Sequence, residues 1–336
     1  MIQISGLPYL RYPFGLPFSE LLKLLENALS EHPEDEVKLL RLLVIYSTHV
    51  SDKWDKALMW SDRLLQVAVE HEDRAEALRG RATVLWESRR NVEEAERLFI
   101  ELHALDPEYQ DSYENLVAIY LEQKEYDKAL HWAETMSLQE SMDYLGFHLK
   151  GEVLLEMERL EEAKAAFEEA IRMDVYPASS YEGLGMCHLA EENWELAKDA
   201  FIQAHERCGQ HEALYPYGVG YCYQNMDNPY LAMKWYMKVL DIDPAYPNAL
   251  NNLAVLELEL ENGWEEALPY LLKAVELSGE AINNEMRVVY RNLWAYYTRT
   301  LNYDMAAYYQ RLNFRCLGFD DDMIDFFDSF DSFEDE

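Results

Sequence analysis

Three alanines, Ala129, Ala163 and Ala197, recur at intervals of 34 residues, each behind a matching lead-in: Tyr126-Asp-Lys-Ala, Leu160-Glu-Glu-Ala and Trp194-Glu-Leu-Ala. A fixed period of this length, in a chain without strand signals, means that one helical hairpin is built repeatedly and stacked on copies of itself. Such a unit cannot bury its apolar face alone. It grows by burying that face on its neighbours, so no central core is needed at any length.

The same small residue continues in both directions as Ala57, Ala95, Ala232, Ala267 and Ala306, with spacings along the series of 38, 34, 34, 34, 35, 35 and 39. The register is tight in the middle and loose at the ends, as expected where terminal units face solvent on one side. Four residues after the alanine stands a large apolar group in several units: Phe99, Phe167, Phe201 and Tyr236. Residues four apart share a helix face, so the alanine admits a neighbouring helix and the aromatic fills beside it. Earlier in the units Gly151, Gly185 and Gly220 mark where the two helices of a hairpin must approach closely. Asp106-Pro107 and Asp243-Pro244 end second helices, because proline cannot continue an established ladder.

Residues 1–18 carry Pro8, Pro13 and Pro17 and are expected to form an extended arm that covers the first helix or meets a partner. Ser19 is expected to cap a helix from about Glu20 to Glu31 with Leu21, Leu24, Leu25 and Leu29 as its apolar stripe, within an N-terminal capping region at 19–37. The repeats then occupy 38–318, and an acidic aromatic tail occupies 319–336.

The aromatic, aliphatic and small residues of Tyr181-x-x-Leu184-Gly185, and the shorter Tyr113-x-x-Leu116, together with the 34-residue alanines, resemble the tetratricopeptide repeat family. The resemblance covers roughly Lys38 to Phe319. It implies an all-α, right-handed superhelical solenoid of about eight helix-turn-helix repeats. It also implies a concave groove lined by the first helices, in which family members hold a peptide or a partner element. The function expected is that of a protein-interaction scaffold or adaptor.

Composition narrows the partners. The net charge of −35 repels a phosphate backbone and an anionic membrane surface, so neither nucleic acid nor membrane is an expected partner. A protein or peptide segment that is basic and apolar is expected instead. Cys187, Cys208, Cys222 and Cys316 form no close-spaced metal pattern and read as small core residues. Met1-Ile-Gln-Ile-Ser lacks a basic lead and an apolar run, and a cytoplasmic location is expected.

Stepping 34 or 35 residues along the expected groove gives three columns. One runs Glu114, His148, Glu182, Tyr217 and Asn251. A second runs Ala118, Glu152, Met186, Tyr221 and Val255. A third runs Asn115, Leu149, Gly183, Gly218 and Asn252. Carboxylates suit Lys or Arg, tyrosines suit apolar side chains, and the adjacent amides of Asn251 and Asn252 suit an extended backbone. Some family members grip a chaperone's terminal carboxylate with Lys and Asn here, but this chain offers Glu and Tyr where that clamp needs Lys.

The tail carries nine acidic residues and no basic one, and Met323, Phe326, Phe327 and Phe330 fall at i, i+3, i+4 and i+7 on one helical face. Two roles fit this pattern, a cap on the last repeat or a motif that folds onto a basic, apolar partner. An alternative function follows, an inhibitor or immunity-like protein whose acidic surface and tail mask a basic, nucleic-acid-binding surface. Catalytic chemistry is weakly represented. His205, Cys208 and His211 have metal-like spacing but supply only three local ligands, and no phosphate loop, nucleophile elbow or HExxH occurs. No catalytic residue, metal or cofactor is expected.

Overall fold

The computed structural model describes residues 2–3, 11–12, 17–50, 53–139, 142–173, 177–208, 212–259, 264–279, 281–319 and 323. The chain is an all-α repeat solenoid divided into two compact units, Met1–Asp174 and Val175–Glu336. In the first unit a short antiparallel pair, β1 (Ile2–Gln3) and β2 (Arg11–Tyr12), precedes α1 (Phe18–Glu31), so the N-terminal stretch is paired at those residues rather than simply extended. Hairpins follow from α2 (Glu36–Ser47) and α3 (Trp54–Val67), α4 (His71–Glu87) and α5 (Val92–Leu105), α6 (Gln110–Glu122) and α7 (Tyr126–Ser137), and α8 (Asp143–Glu156) and α9 (Leu160–Met173).

The second unit contains α10 (Ala178–Ala190) with α11 (Trp194–Arg207), α12 (Leu214–Asn225) with α13 (Pro229–Ile242), α14 (Pro247–Glu259) with α15 (Trp264–Ser278), and α16 (Asn284–Arg299) with α17 (Tyr303–Cys316). Helix partners pack within each hairpin, and each second helix also packs on the first helix that follows it inside its unit.

Two expectations for α1 are corrected. The helix starts at Phe18, and its cap is Pro17 rather than Ser19: the Pro17 carbonyl accepts from the amides of Glu20 (3.0 Å) and Leu21 (3.1 Å), with no side-chain cap. Proline suits that place because its φ is already fixed and a helix start leaves its missing N–H unneeded. The buried stripe is Leu21, Leu22, Leu25 and Ala28, whereas Leu24 is exposed. Packing against α2 therefore rotates the helix by about one residue from the leucine pattern.

All eight marker alanines, Ala57 to Ala306, are buried. Across the hairpin seam, residue volume is complementary rather than constant. Gly151 faces Phe167, Gly185 faces Phe201 and Gly220 faces Tyr236, each so closely that an added Cβ would lie 2.6–2.9 Å from the ring. Where the first helix carries Val117 instead of glycine, the second helix carries Ala133 instead of an aromatic, and both are buried. Close-packed interiors tolerate such exchanges because the summed volume is conserved.

The turns within hairpins use a device the sequence does not advertise. Lys124, Glu158, Glu192, Asp227 and Leu301 all hold φ between 57° and 60°, the left-handed region, without being glycine. Each lets the next amide reach back six residues in ring notation, as Arg159 does to the Leu154 carbonyl (2.9 Å) and Asn193 to His188 (2.8 Å). Asparagine side chains then start several following helices: Asn228 accepts from the Leu231 amide at 3.3 Å and Asn302 from Met305 at 3.3 Å. Asp106 and Asp243 close α5 and α13 ahead of their prolines, as the sequence predicts.

Candidate functional site

The expected groove residues lie on first helices, and the two units present different chemistry. In the first unit α4, α6 and α8 pack side by side. Glu114 on α6 accepts a hydrogen bond from the Gln110 side chain at 2.7 Å. Burial pushes its carboxyl up from the ordinary value, and the nearby Asp111 and Glu152 charges push the same way, against the Gln110 bond and His148. No Lys or Arg stands within ion-pair distance of Glu114 among the described residues. His148 on α8 lies 3.4 Å from the Glu152 carboxylate and tilts against the Phe167 ring at 5.7 Å.

One cation borders this face that the sequence columns miss. Arg79 on α4 has a side chain only 13% exposed. It pairs with the buried Glu76 and lies 3.8 Å from Asp111, while the Tyr109 hydroxyl donates to Glu76 at 3.1 Å. Burial opposes the Arg79 charge, and Glu76, with Tyr109 and Asp111 acting the same way, outweighs it, so the guanidinium is held above its usual value. The columns begin at α6; a step of 34 back from Glu114 reaches Gly80 and a step of 35 reaches Arg79, and the α4–α5 turn, one residue longer than the others, selects the second. Six residues separate its left-handed Arg89 from Ala95, against five from Lys124 to Ala129. Only the turn geometry exposes that offset.

In the second unit the face is aromatic and amide-bearing. Met186 on α10 and Tyr221 on α12 are 45% and 38% exposed, and Tyr221 meets Trp194 edge-on at 6.2 Å. Glu182 is half-buried on α10. Tyr217 is flanked by Tyr236 (5.6 Å) and Tyr246 (5.3 Å), and burial raises its phenol's pKa. Asn251 on α14 borders a small recess of about 90 Å³ lined by Pro247, Asn248, Met286, Val288 and Val289. The Asn292 side chain on α16 donates to its carbonyl oxygen at 3.4 Å.

The third column requires correction. Leu149, Gly183 and Gly218 are buried, and a Cβ on Gly218 would meet the Phe201 ring at 2.8 Å, so this column faces the interior. Asn115 spends its amide on the Asp111 carbonyl at 2.8 Å. Asn252 donates to the hydroxyls of Tyr236 (3.0 Å) and Tyr217 (3.3 Å), and Tyr236 donates onward to Gln224 at 2.8 Å. Asn252 therefore braces the tyrosines, and Asn251 alone of the pair borders the recess. One residue along a helix turns a side chain by about 100°, which is enough to move an adjacent column from groove to core.

Elsewhere, His205 is buried on α11 edge-on to Trp235 at 6.1 Å, and the Cys208 thiol donates to its carbonyl at 3.3 Å, while His211 lies outside the described residues. Among the described residues no cluster of His, Cys, Asp and Glu has the arrangement of a metal site, and no helix is long and apolar enough to cross a membrane. Of the tail stripe, Met323 is helical and 50% exposed, and Phe326, Phe327 and Phe330 lie outside the described residues.

A family model described as tetratricopeptide repeat matches residues 79–136 and 148–213, and a second of the same description matches 217–246. Among solved structures, the C-terminal part of a tetratricopeptide repeat-containing protein from Cytophaga hutchinsonii is 19% identical with a TM-score of 0.52, covering 73% of this chain and 97% of that one. A chain of the APC/C hetero-tetramer Cut9-Hcn1 is 16% identical with a TM-score of 0.55, covering 82% and 52%. The Pseudomonas aeruginosa pilF protein is 18% identical with a TM-score of 0.52, covering 65% and 96%. At these identities the likeness concerns the fold.

Proposed function

We propose that this chain, which tetratricopeptide repeat models match over residues 79–136, 148–213 and 217–246, is a protein-interaction scaffold whose first-helix faces hold a partner segment bearing both cations and apolar side chains. The observation that carries this reading is Glu114. A half-buried carboxylate disfavoured by burial and pressed by Asp111 and Glu152, with the Gln110 amide and His148 opposing them and no Lys or Arg paired to it among the described residues, is a site that a partner's Lys or Arg would relieve. The second unit's face, taken by itself, offers a different chemistry. Met186 and Tyr221 offer apolar contact to a partner side chain, and Asn251, whose amide donates to Asn252 and accepts from Asn292 at 3.4 Å each, borders a recess sized for a small group.

The test uses the full chain and whichever partner it recovers from its native lysate. Glu114→Gln should weaken binding by about threefold to tenfold, the range of one charge pair at a partly screened interface. Binding should also weaken as pH falls through the raised Glu114 pKa, because a cation stabilises the ionised form that protonation removes. Affinity indifferent to Glu114→Gln, and to Met186→Ala with Tyr221→Ala, rejects the reading.

A further inference from the structure

Inside the second unit two first helices fully bury the same stripe at i, i+3, i+4 and i+7: Tyr215, Gly218, Val219 and Cys222 on α12, and Met286, Val289, Tyr290 and Leu293 on α16. On α14 the corresponding residues are Ala249, Asn252, Leu253 and Leu256, of which only Asn252 is less than fully buried. The tail carries that spacing once more, as Met323, Phe326, Phe327 and Phe330. Counting from the marker alanine of the preceding second helix strengthens the match. The third stripe residue follows that alanine by 22 residues on α12 (Ala197 to Val219), 21 on α14 (Ala232 to Leu253) and 23 on α16 (Ala267 to Tyr290), and Phe327 follows Ala306 by 21. The tail thus stands in the sequence register of a ninth first helix, one with no second helix after it.

The surface for such a helix is also present. Met233 and Leu240 on α13 pack in a cluster that includes Ala249, Leu253 and Leu256 of α14, and Leu268 and Val275 on α15 in one that includes Met286, Val289, Tyr290 and Leu293 of α16. Their equivalents on α17 are Ala307, which is exposed, and Phe314, which is half-buried. Charge fits as well. Residues 284–318 carry five arginines against two acidic residues in a chain of net charge −35, and Tyr308, Arg311 and Arg315 share one face of α17 at i, i+3 and i+7.

The connection has a defined geometry. Gly318 sits at φ +86°, its amide donates to Arg315 (2.9 Å), and the Phe319 amide donates to Phe314 (3.2 Å), where the two rings meet edge-on at 5.8 Å. This is the six-to-one helix stop with its apolar staple, and it turns the chain off the α17 axis. The intra-hairpin turns use the same motif to fold one helix back on another.

We infer that the outward face of α17 is a docking surface for an acidic amphipathic helix, and that the chain's own residues 319–336 are its occupant. The aromatic stripe takes the place of a next repeat's first helix, and the aspartates meet Arg311 and Arg315. Because the charge part is screened by salt and lies at the surface, the dock is releasable. An acidic amphipathic helix of a partner competes for the same face. The inference stands independently of the groove reading.

The test uses the full chain with Phe327→p-benzoylphenylalanine, irradiated at micromolar concentration and low salt. Intramolecular cross-links should fall on residues 303–318. Their yield should drop by about fivefold in Arg311→Glu with Arg315→Glu, and comparably near 0.5 M salt, where the screening length is about 4 Å. If that pair of substitutions prevents folding, Asp325→Asn with Asp328→Asn reads the same charge contact from the tail. Cross-links on Tyr230 or Trp235 of α13, on the first-helix faces, or between two copies would overturn the inference, as would a yield indifferent to every charge change.

Discussion

The Phe201 ring is held from two sides, and this gives the packing account its sharpest prediction. A Cβ added to Gly185 on α10 would lie 2.9 Å from Cζ and 3.0 Å from Cε1 of that ring, and a Cβ on Gly218 of α12 would lie 2.8 Å from its other atoms. A ring confined by one glycine could tilt away, but this one tilts into the next helix. Overpacking of a close-packed core costs about 1–3 kcal/mol. Exchanging a mid-helix glycine for alanine returns about 1 kcal/mol through helix propensity. Gly185→Ala should therefore destabilise by about 1 kcal/mol, the middle of the range of about 0–2 left after subtraction, which lowers the urea midpoint by about 0.3–0.5 M at an m-value of about 2–3 kcal/mol/M. Phe201→Leu frees the space, so the double variant should be more stable than the two single costs predict. A Gly185→Ala midpoint equal to or above that of the parent chain would refute the confinement, because helix propensity alone predicts that outcome.

Three further predictions follow from other parts of the structure. Leu301→Gly should raise the melting temperature by about 2 °C, since the left-handed conformation costs leucine about 1–2 kcal/mol and glycine's unfolded freedom takes back about 0.5–1. Asn252→Ala should cost about 1–2 kcal/mol by stripping the buried Tyr236 hydroxyl of its donor, read as a fall in the urea midpoint. Glu114 has its folded pKa raised, so its protonated form favours the fold; that stability is present below the unfolded carboxylate pKa and is lost as pH rises through the folded value. Glu114→Gln should accordingly be more stable than the parent at pH 7 and converge with it at pH below about 4, in parallel melts across pH.

Much of the fold was legible because the repeat constrains it. The alanine period located all eight second helices, and the Asp-Pro pairs located two of their ends. The glycines named as close approaches are those that face Phe167, Phe201 and Tyr236. What escaped the sequence was rotation and turn chemistry. The α1 stripe shifted because leucines at 21, 22, 24, 25 and 29 allow more than one face, and only packing on α2 selects it. The hairpin turns were silent because Lys, Glu, Asp and Leu stand where a left-handed residue is needed, and none signals it. Two of the three columns fall on half-buried or exposed first-helix surface, whereas the third sits one residue further round the helix and is mostly interior. Arg79 was missed for a related reason, one extra residue in a single turn.

The central claim is that first helices, rather than second helices, hold a basic and apolar segment. Photo-reactive residues installed at Met186 and Tyr221, with Tyr230 on α13 as the comparison, test it most directly in the full chain bound to its native partner. The account predicts that Met186 and Tyr221 capture one short partner segment carrying Lys or Arg among apolar residues, and that Tyr230 captures nothing from it. Capture at Tyr230 alone, or capture of an acidic segment at Met186 and Tyr221, would contradict it.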